Sequence, residues 1–154
     1  MVRSLYGILY SDFCILVSVM IAIIDYEAGN LTSVQRALSS LGRPSVITRK
    51  ASELAAAERI VFPGVGAAGK AMADLRRMGL DRALFTAFHE GKPILGICLG
   101  TQIIMEWSEE NRTPCLGLIR GKVIRFPEAL TDGEGRPLKA VSYTHLTLPT
   151  KRIV

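Results

Sequence analysis

Apolar residues fall along the middle of this chain in short solid blocks, with helical spacing between them. The blocks are Ile21–Ile24, Ser45–Thr48 after Pro44, Ile60–Phe62 and Ile94–Ile97. Each is short enough for a strand; Ile21–Ile24, apolar throughout, is expected to be covered on both faces, and Ser45–Thr48 follows the break at Pro44. Between the first two, Leu31, Val34, Leu38 and Leu41 recur at helical spacing. Asn30 is placed to cap that helix and Gly42 to stop it. Residues 52–57, 68–78 and 80–90 read as further helices, with Gly79 separating the last two. Thr101–Trp107 holds good helix formers and neither Gly nor Pro, so a helix is expected after the fourth strand. Beyond it come a polar loop at 108–114, an alternating strand at 121–126 and a turn-rich loop at 131–137. Strands alternating with helices predict an α/β fold: an open, mostly parallel sheet with helices on both faces.

The two ends do not follow this order. Residues 1–19 carry Arg3 and then apolar positions, but Ser11-Asp12 interrupts them and no small-residue cleavage site follows. The apolar run from Phe13 to Ile24 is too short to span a bilayer. Residues 1–19 are therefore expected to be an upstream extension, with Met20 the true start. Residues 20–139 form the expected domain. The segment 140–154 has β-like composition and then Lys151-Arg152; it closes no element and is expected to be a non-native tail.

Composition narrows the chemistry. The 154 residues are 49% hydrophobic and 21% charged, within the range of globular proteins, and large enough for one core. The net charge of +5 comes partly from the ends, and no basic stripe interleaved with aromatics appears, so nucleic acid is not an expected partner. The three cysteines, Cys14, Cys98 and Cys115, fit no disulfide framework or zinc pattern. With His89 and His145 the only histidines, no metal site is expected, and a reducing, cytoplasmic setting is.

Cys98 is the candidate nucleophile. It follows the apolar run 94–97, lies between Gly96 and Gly100, and precedes a helix. Strand, sharp turn and helix is the layout of a nucleophile elbow, in which small neighbours let the reactive atom stand out at the strand's carboxyl end. The free amides of a helix start also favour a thiolate. A core cysteine on a buried strand remains the plainer reading. The glycine-rich stretch Pro63-Gly64-Val65-Gly66 admits three readings: a phosphate cradle lacking the Lys-Ser/Thr of a P-loop, a tight turn, or an oxyanion hole facing Cys98. His89, near a helix end, reads as a structural histidine.

Three motifs stand in sequence: Asp25-Tyr26-Glu27-Ala28-Gly29-Asn30-Leu31, Pro63-Gly64-Val65-Gly66, and Gly96-Ile97-Cys98-Leu99-Gly100-Thr101-Gln102. Their order and separation over residues 20–139 resemble the class I (triad) glutamine amidotransferases. More narrowly they resemble the glutaminase subunits of imidazole glycerol phosphate synthases, in histidine biosynthesis. The resemblance implies a flavodoxin-like sheet, here incomplete at the C-terminus, and hydrolysis of glutamine to glutamate and ammonia through a Cys98 thioester. It implies oxyanion donors at Leu99 and, after a peptide reorientation, at Val65, and a glutamine pocket touching Gly64, Gly100 and Gln102. No cofactor or metal is implied. The implied partner is a (β/α)8 cyclase subunit, in a heterodimer, which takes up the ammonia.

Two departures matter. Glu27 stands where a small residue is expected, which puts the conformation of that loop in question. The family also takes a histidine and a glutamate from a His-Pro-Glu motif near its C-terminus, and this chain has none; His145 is followed by Leu146 and Thr147. The 154-residue chain is therefore expected to be nearly inactive. Two other readings stand beside this one: another Cys-elbow amidotransferase or hydrolase, and a non-catalytic module that binds the partner.

Overall fold

A computed structural model of the chain describes residues 20–27, 29–126 and 131–137. The expectations for residues 1–19, His145 and residues 140–154 lie outside the described residues. The chain divides into two compact units after Ile124.

The first unit is built on a sheet of four parallel strands: β1 (Ile21–Ile24), β2 (Ser45–Thr48), β3 (Arg59–Gly64) and β4 (Ile94–Cys98), in the order β2-β1-β3-β4. Helix α1 (Leu31–Ser40) links β1 to β2, and α2 (Ala51–Ala56) links β2 to β3. Helices α3 (Ala68–Met78) and α4 (Leu80–His89) link β3 to β4, meeting at Gly79, whose φ of 69° reverses the chain. Asn30 caps α1 as expected, its side-chain oxygen accepting from the Ser33 amide.

Alternation along the strands divides the core. Ala22, Ile24, Ile60 and Phe62 face α2, α3, α4 and the elbow helix, where Leu54, Met72, Leu75, Leu84, Leu99 and Ile103 pack on them. Ile21, Ile23 and Val61 face the other way, toward Leu31, Val34 and Leu38 of α1. Helices do lie on both faces, but unequally. On the α1 face, the register sets Leu95 beside Val61 and Ile97 beside Pro63. These two side chains are 60% and 39% exposed.

The elbow helix corrects the sequence reading. Helix α5 spans only Leu99–Ile103, not 101–107. Residues 115–119 end it: the amides of Leu116, Leu118 and Gly117 donate to the carbonyls of Ile103, Ile104 and Met105, and that of Cys115 to Glu106. Those carbonyls are no longer available to the next helical turn. Trp107 instead enters β5 (Trp107–Ser108), which pairs with β6 (Thr113–Pro114) and β7 (Lys122–Val123) in a three-stranded sheet. The expected loop at 108–114 thus holds two short strands and a 3-10 turn at Glu110–Arg112. The expected strand at 121–126 shrinks to its two paired residues.

In the second unit, Thr131 and Pro137 bridge across a tight turn. The Asp132 carboxylate holds it, accepting from the Glu134 and Arg136 amides and from the Arg136 guanidinium.

Candidate active site

The strand order places a site before any side chain is considered. The chain winds outward from β1 to β2, then returns to β3 on the other side, so β1 and β3 flank a switch point. In open parallel sheets, crevices form there, outside the carboxyl ends of the strands. The loops that reach this rim are residues 25–27 and 29–30 after β1, 65–67 after β3, and the elbow after β4.

Cys98 is exposed, with φ 56° and ψ −116°. A non-glycine residue in this region is strained, at a cost of about 1–3 kcal/mol. Packing fixes the bend. A Cβ at Gly96 would lie 2.8 Å from the Thr101 backbone, and one at Gly100 would collide with the Phe62 carbonyl oxygen. Both flanking positions must be glycine for the helix to fold back against β3 and β4. The plainer reading of Cys98 as a core residue is overturned; Cys115 is the half-buried thiol, and burial pushes its pKa up. Since the strain resides at one residue, Cys98→Gly is expected to raise stability by about 1 kcal/mol, or ~4 °C in Tm. Cys98→Ala keeps the strain and is expected to gain nothing; equal shifts in a thermal melt would contradict this.

The register brings the second corner to the first. Gly64 pairs with Cys98, about one strand spacing (~4.8 Å) away. A Cβ at Gly64 would stand 3.0 Å from the Gly100 nitrogen and 3.1 Å from the Leu99 Cβ, so the two corners are in contact. Val65 projects from this rim, 57% exposed, and Gly66 next to it has φ 91°. Leu99 is buried under the elbow, Gly100 is buried beside Phe62, and Gln102 is half-buried one turn on. Cys98, Leu99, Gly64 and Val65 therefore gather at one place, with Gly100 and Gln102 on the helix behind.

The first loop closes the rim. Asp25 accepts from the Glu27 amide and pairs with Arg49 at 2.8 Å. Burial would raise the Asp25 pKa, but the Arg49 and Glu27 hydrogen bonds outweigh it and hold the carboxyl low. Glu27 has φ 69°, the conformation that makes a glycine-like residue the natural choice there. Its carboxylate pairs with Arg49 and with Arg77 of α3, so the larger residue gains two tethers in return for the strain. Exposed pairs of this kind contribute at most about 1 kcal/mol each. Beside the loop is a small cavity of about 150 Å³, lined by Glu27, Gly29, Val65, Lys70 and Asp74. The N-terminus of α3 is held from afar: Glu110 accepts from the Ala68 amide at 2.8 Å.

His89 lies away from this rim. It ends α4, its Nδ1 is 2.9 Å from the Phe85 carbonyl, and its ring stacks at 4.0 Å on Phe85. Helix α4 leads into the start of β4, and Cys98 is at the far end of that strand. Tyr26 carried no individual role in the sequence reading. It is fully buried, its ring edge-on to Phe62 at 5.5 Å, and its hydroxyl lies against Gly64. An aromatic residue two positions after a rim strand was the available signal.

Among the described residues, no helix is long and apolar enough to cross a membrane. Residues 22–145 match the family model for class-I glutamine amidotransferases. The chain is 49% identical over 120 residues to the imidazole glycerol phosphate synthase subunit HisH of Nitratidesulfovibrio vulgaris, covering 78% of this chain and 57% of that protein. It is 47% identical over 116 residues to the HisH subunit of Geobacillus thermodenitrificans, covering 75% and 54%. The chain thus spans little more than half the length of these relatives. A crystal structure of a glutamine amidotransferase superposes with a TM-score of 0.60 at 21% identity, over 68% of this chain and 56% of that one, a likeness of fold. Matched over most of its length, with its thiol raised on a strained elbow beside a glycine-rich corner, this chain belongs to the class I glutamine amidotransferase family.

Proposed function

We propose that this chain is the nucleophile-bearing part of a glutaminase that supplies ammonia to a cyclase making imidazole glycerol phosphate. The observation that carries this is the pairing of Gly64 with an exposed Cys98 held at positive φ. The Cys98 sulfur attacks the side-chain amide carbon of glutamine. A C–S bond forms, and the carbonyl electrons move onto oxygen. The amides of Leu99 and Val65 hold that oxyanion, the latter once the 64–65 peptide has turned. Losing one such donor costs about 2.7–4 kcal/mol of barrier. The C–N bond then breaks, the nitrogen leaves with a proton as ammonia, and water hydrolyses the glutamyl thioester to glutamate. Gly64, Gly100 and Gln102 border the glutamine pocket. The relatives' description as synthase subunits supports a partner subunit, here a (β/α)8 cyclase in a heterodimer, and the free thiols of Cys98 and Cys115 among the described residues fit a cytoplasmic setting.

A chloroketone analogue of glutamine tests this reading. It is expected to alkylate Cys98 at least tenfold faster than Cys115, and excess glutamine is expected to protect Cys98 alone, as read by peptide mass spectrometry (roughly tenfold being 1.4 kcal/mol of recognition). Labelling of both thiols alike, indifferent to glutamine, would remove the assignment.

A further inference from the structure

The Tyr26 hydroxyl is buried and has no hydrogen-bond partner among the described residues. Buried polar groups are rarely left so, and phenylalanine would fill the same space without the desolvation cost. The oxygen's position is specific. A Cβ at Gly64 would collide with it, and that same point is 3.0 Å from the Gly100 nitrogen. The hydroxyl is therefore wedged at the junction of the two rim corners. It also keeps its proton: burial pushes the phenol up to about 12, and the charge of Cys98 and then that of Asp74 add to this. It is a fixed O–H donor lacking an acceptor, set against a glycine backbone with another glycine, Gly66, two residues on.

We propose that Tyr26 is a positioning residue for the oxyanion hole. Its hydroxyl donates to the Gly64 carbonyl when the 64–65 peptide turns its Val65 amide toward the Cys98 adduct. The proposal rests on the amidotransferase reading above. In the resting arrangement the hydroxyl goes unpaired, which biases the peptide toward turning. In the turned arrangement both ends of the peptide are held, its N–H by the oxyanion and its C=O by Tyr26. The packing role of the ring is separate, because the ring lies edge-on to Phe62 whether or not it carries the oxygen.

Tyr26→Phe separates the two roles. The parent and the variant would be alkylated with the glutamine chloroketone, whose carbonyl becomes an oxyanion on attack, and with iodoacetamide, which loses iodide without forming one. The variant is expected to lose about tenfold in the limiting chloroketone rate, short of the 10²–10³ lost with a direct donor. Its half-saturating concentration and its iodoacetamide rate are expected to stay within about twofold, and its Tm to hold or rise. An unchanged chloroketone rate, an equal fall with both reagents, or a lowered Tm would overturn the positioning role. If the parent shows no glutamine-protected preference at Cys98, the amidotransferase reading fails and the proposal with it. A preference that survives Tyr26→Phe undiminished removes the proposal alone.

Discussion

Gly100→Ala is expected to destabilise the fold by about 3 kcal/mol or more, the upper range for overpacking a core. The added methyl group would meet the Phe62 carbonyl oxygen, and it would come within 2.9 Å of the carbonyl carbon. Both atoms belong to β3, which is paired on each side, so neither can yield as a side chain could. Moving α5 outward instead would uncover Leu99 and Ile103, which are buried against the sheet. Gly69→Ala is the matched control. It lies inside α3, its Cβ would meet only Thr113 Oγ1 at 3.4 Å, and alanine is the better helix former by about 1 kcal/mol. Urea unfolding of the two variants is expected to move in opposite directions from the parent. A Gly100→Ala loss below about 1 kcal/mol would mean that the elbow does not pack on β3 as described.

The contrast shows what the sequence could and could not reveal. Strands β1, β3 and β4 were legible because each carries a short apolar run, β2 because Pro44 breaks the chain before Val46 and Ile47, and α3 and α4 because Gly79 marks their junction. The elbow was legible because two glycines around a cysteine, at the end of such a run, leave few other arrangements. The length of α5 was not. It is set by the amides of residues 115–119, whose claim on the carbonyls of 103–106 is a tertiary contact with no local signature. Two-residue strands such as β5 and β6 carry no periodicity to detect. The Glu27 departure was visible, but its consequence was not: a positive φ offset by pairing with arginines 22 and 50 positions away. The Tyr26 hydroxyl was hidden for a related reason. A residue's type states what it can donate, while whether it finds an acceptor is decided by the backbone packed around it.

Glutamine turnover by the 154-residue chain is expected to run roughly 10²–10⁴-fold below that of a version carrying the C-terminal segment of a HisH relative, the usual worth of a general base. At 1.36 kcal/mol per decade this is about 3–5 kcal/mol of barrier. His89 is the histidine among the described residues, and it lies beyond the opposite end of β4, whose five residues extend about 16 Å. Its ring is also engaged with the Phe85 carbonyl. The carboxylates of the rim are committed to cations: Asp25 to Arg49, Glu27 to Arg49 and Arg77, Asp74 to Lys70 and Arg77. Hydrogen bonds from Lys70 and Arg77 hold the Asp74 carboxyl low, which makes it a poor proton acceptor. Among the described residues, then, neither His89 nor these paired carboxylates stands ready to take the Cys98 proton or to protonate the departing nitrogen. Alkylation by the chloroketone needs no protonated nitrogen leaving group, so it is expected to survive where turnover does not. Ammonia release, measured with and without the grafted segment carrying His-Pro-Glu, separates the two steps. Equal release from both chains would show that a base within residues 1–154 already serves Cys98.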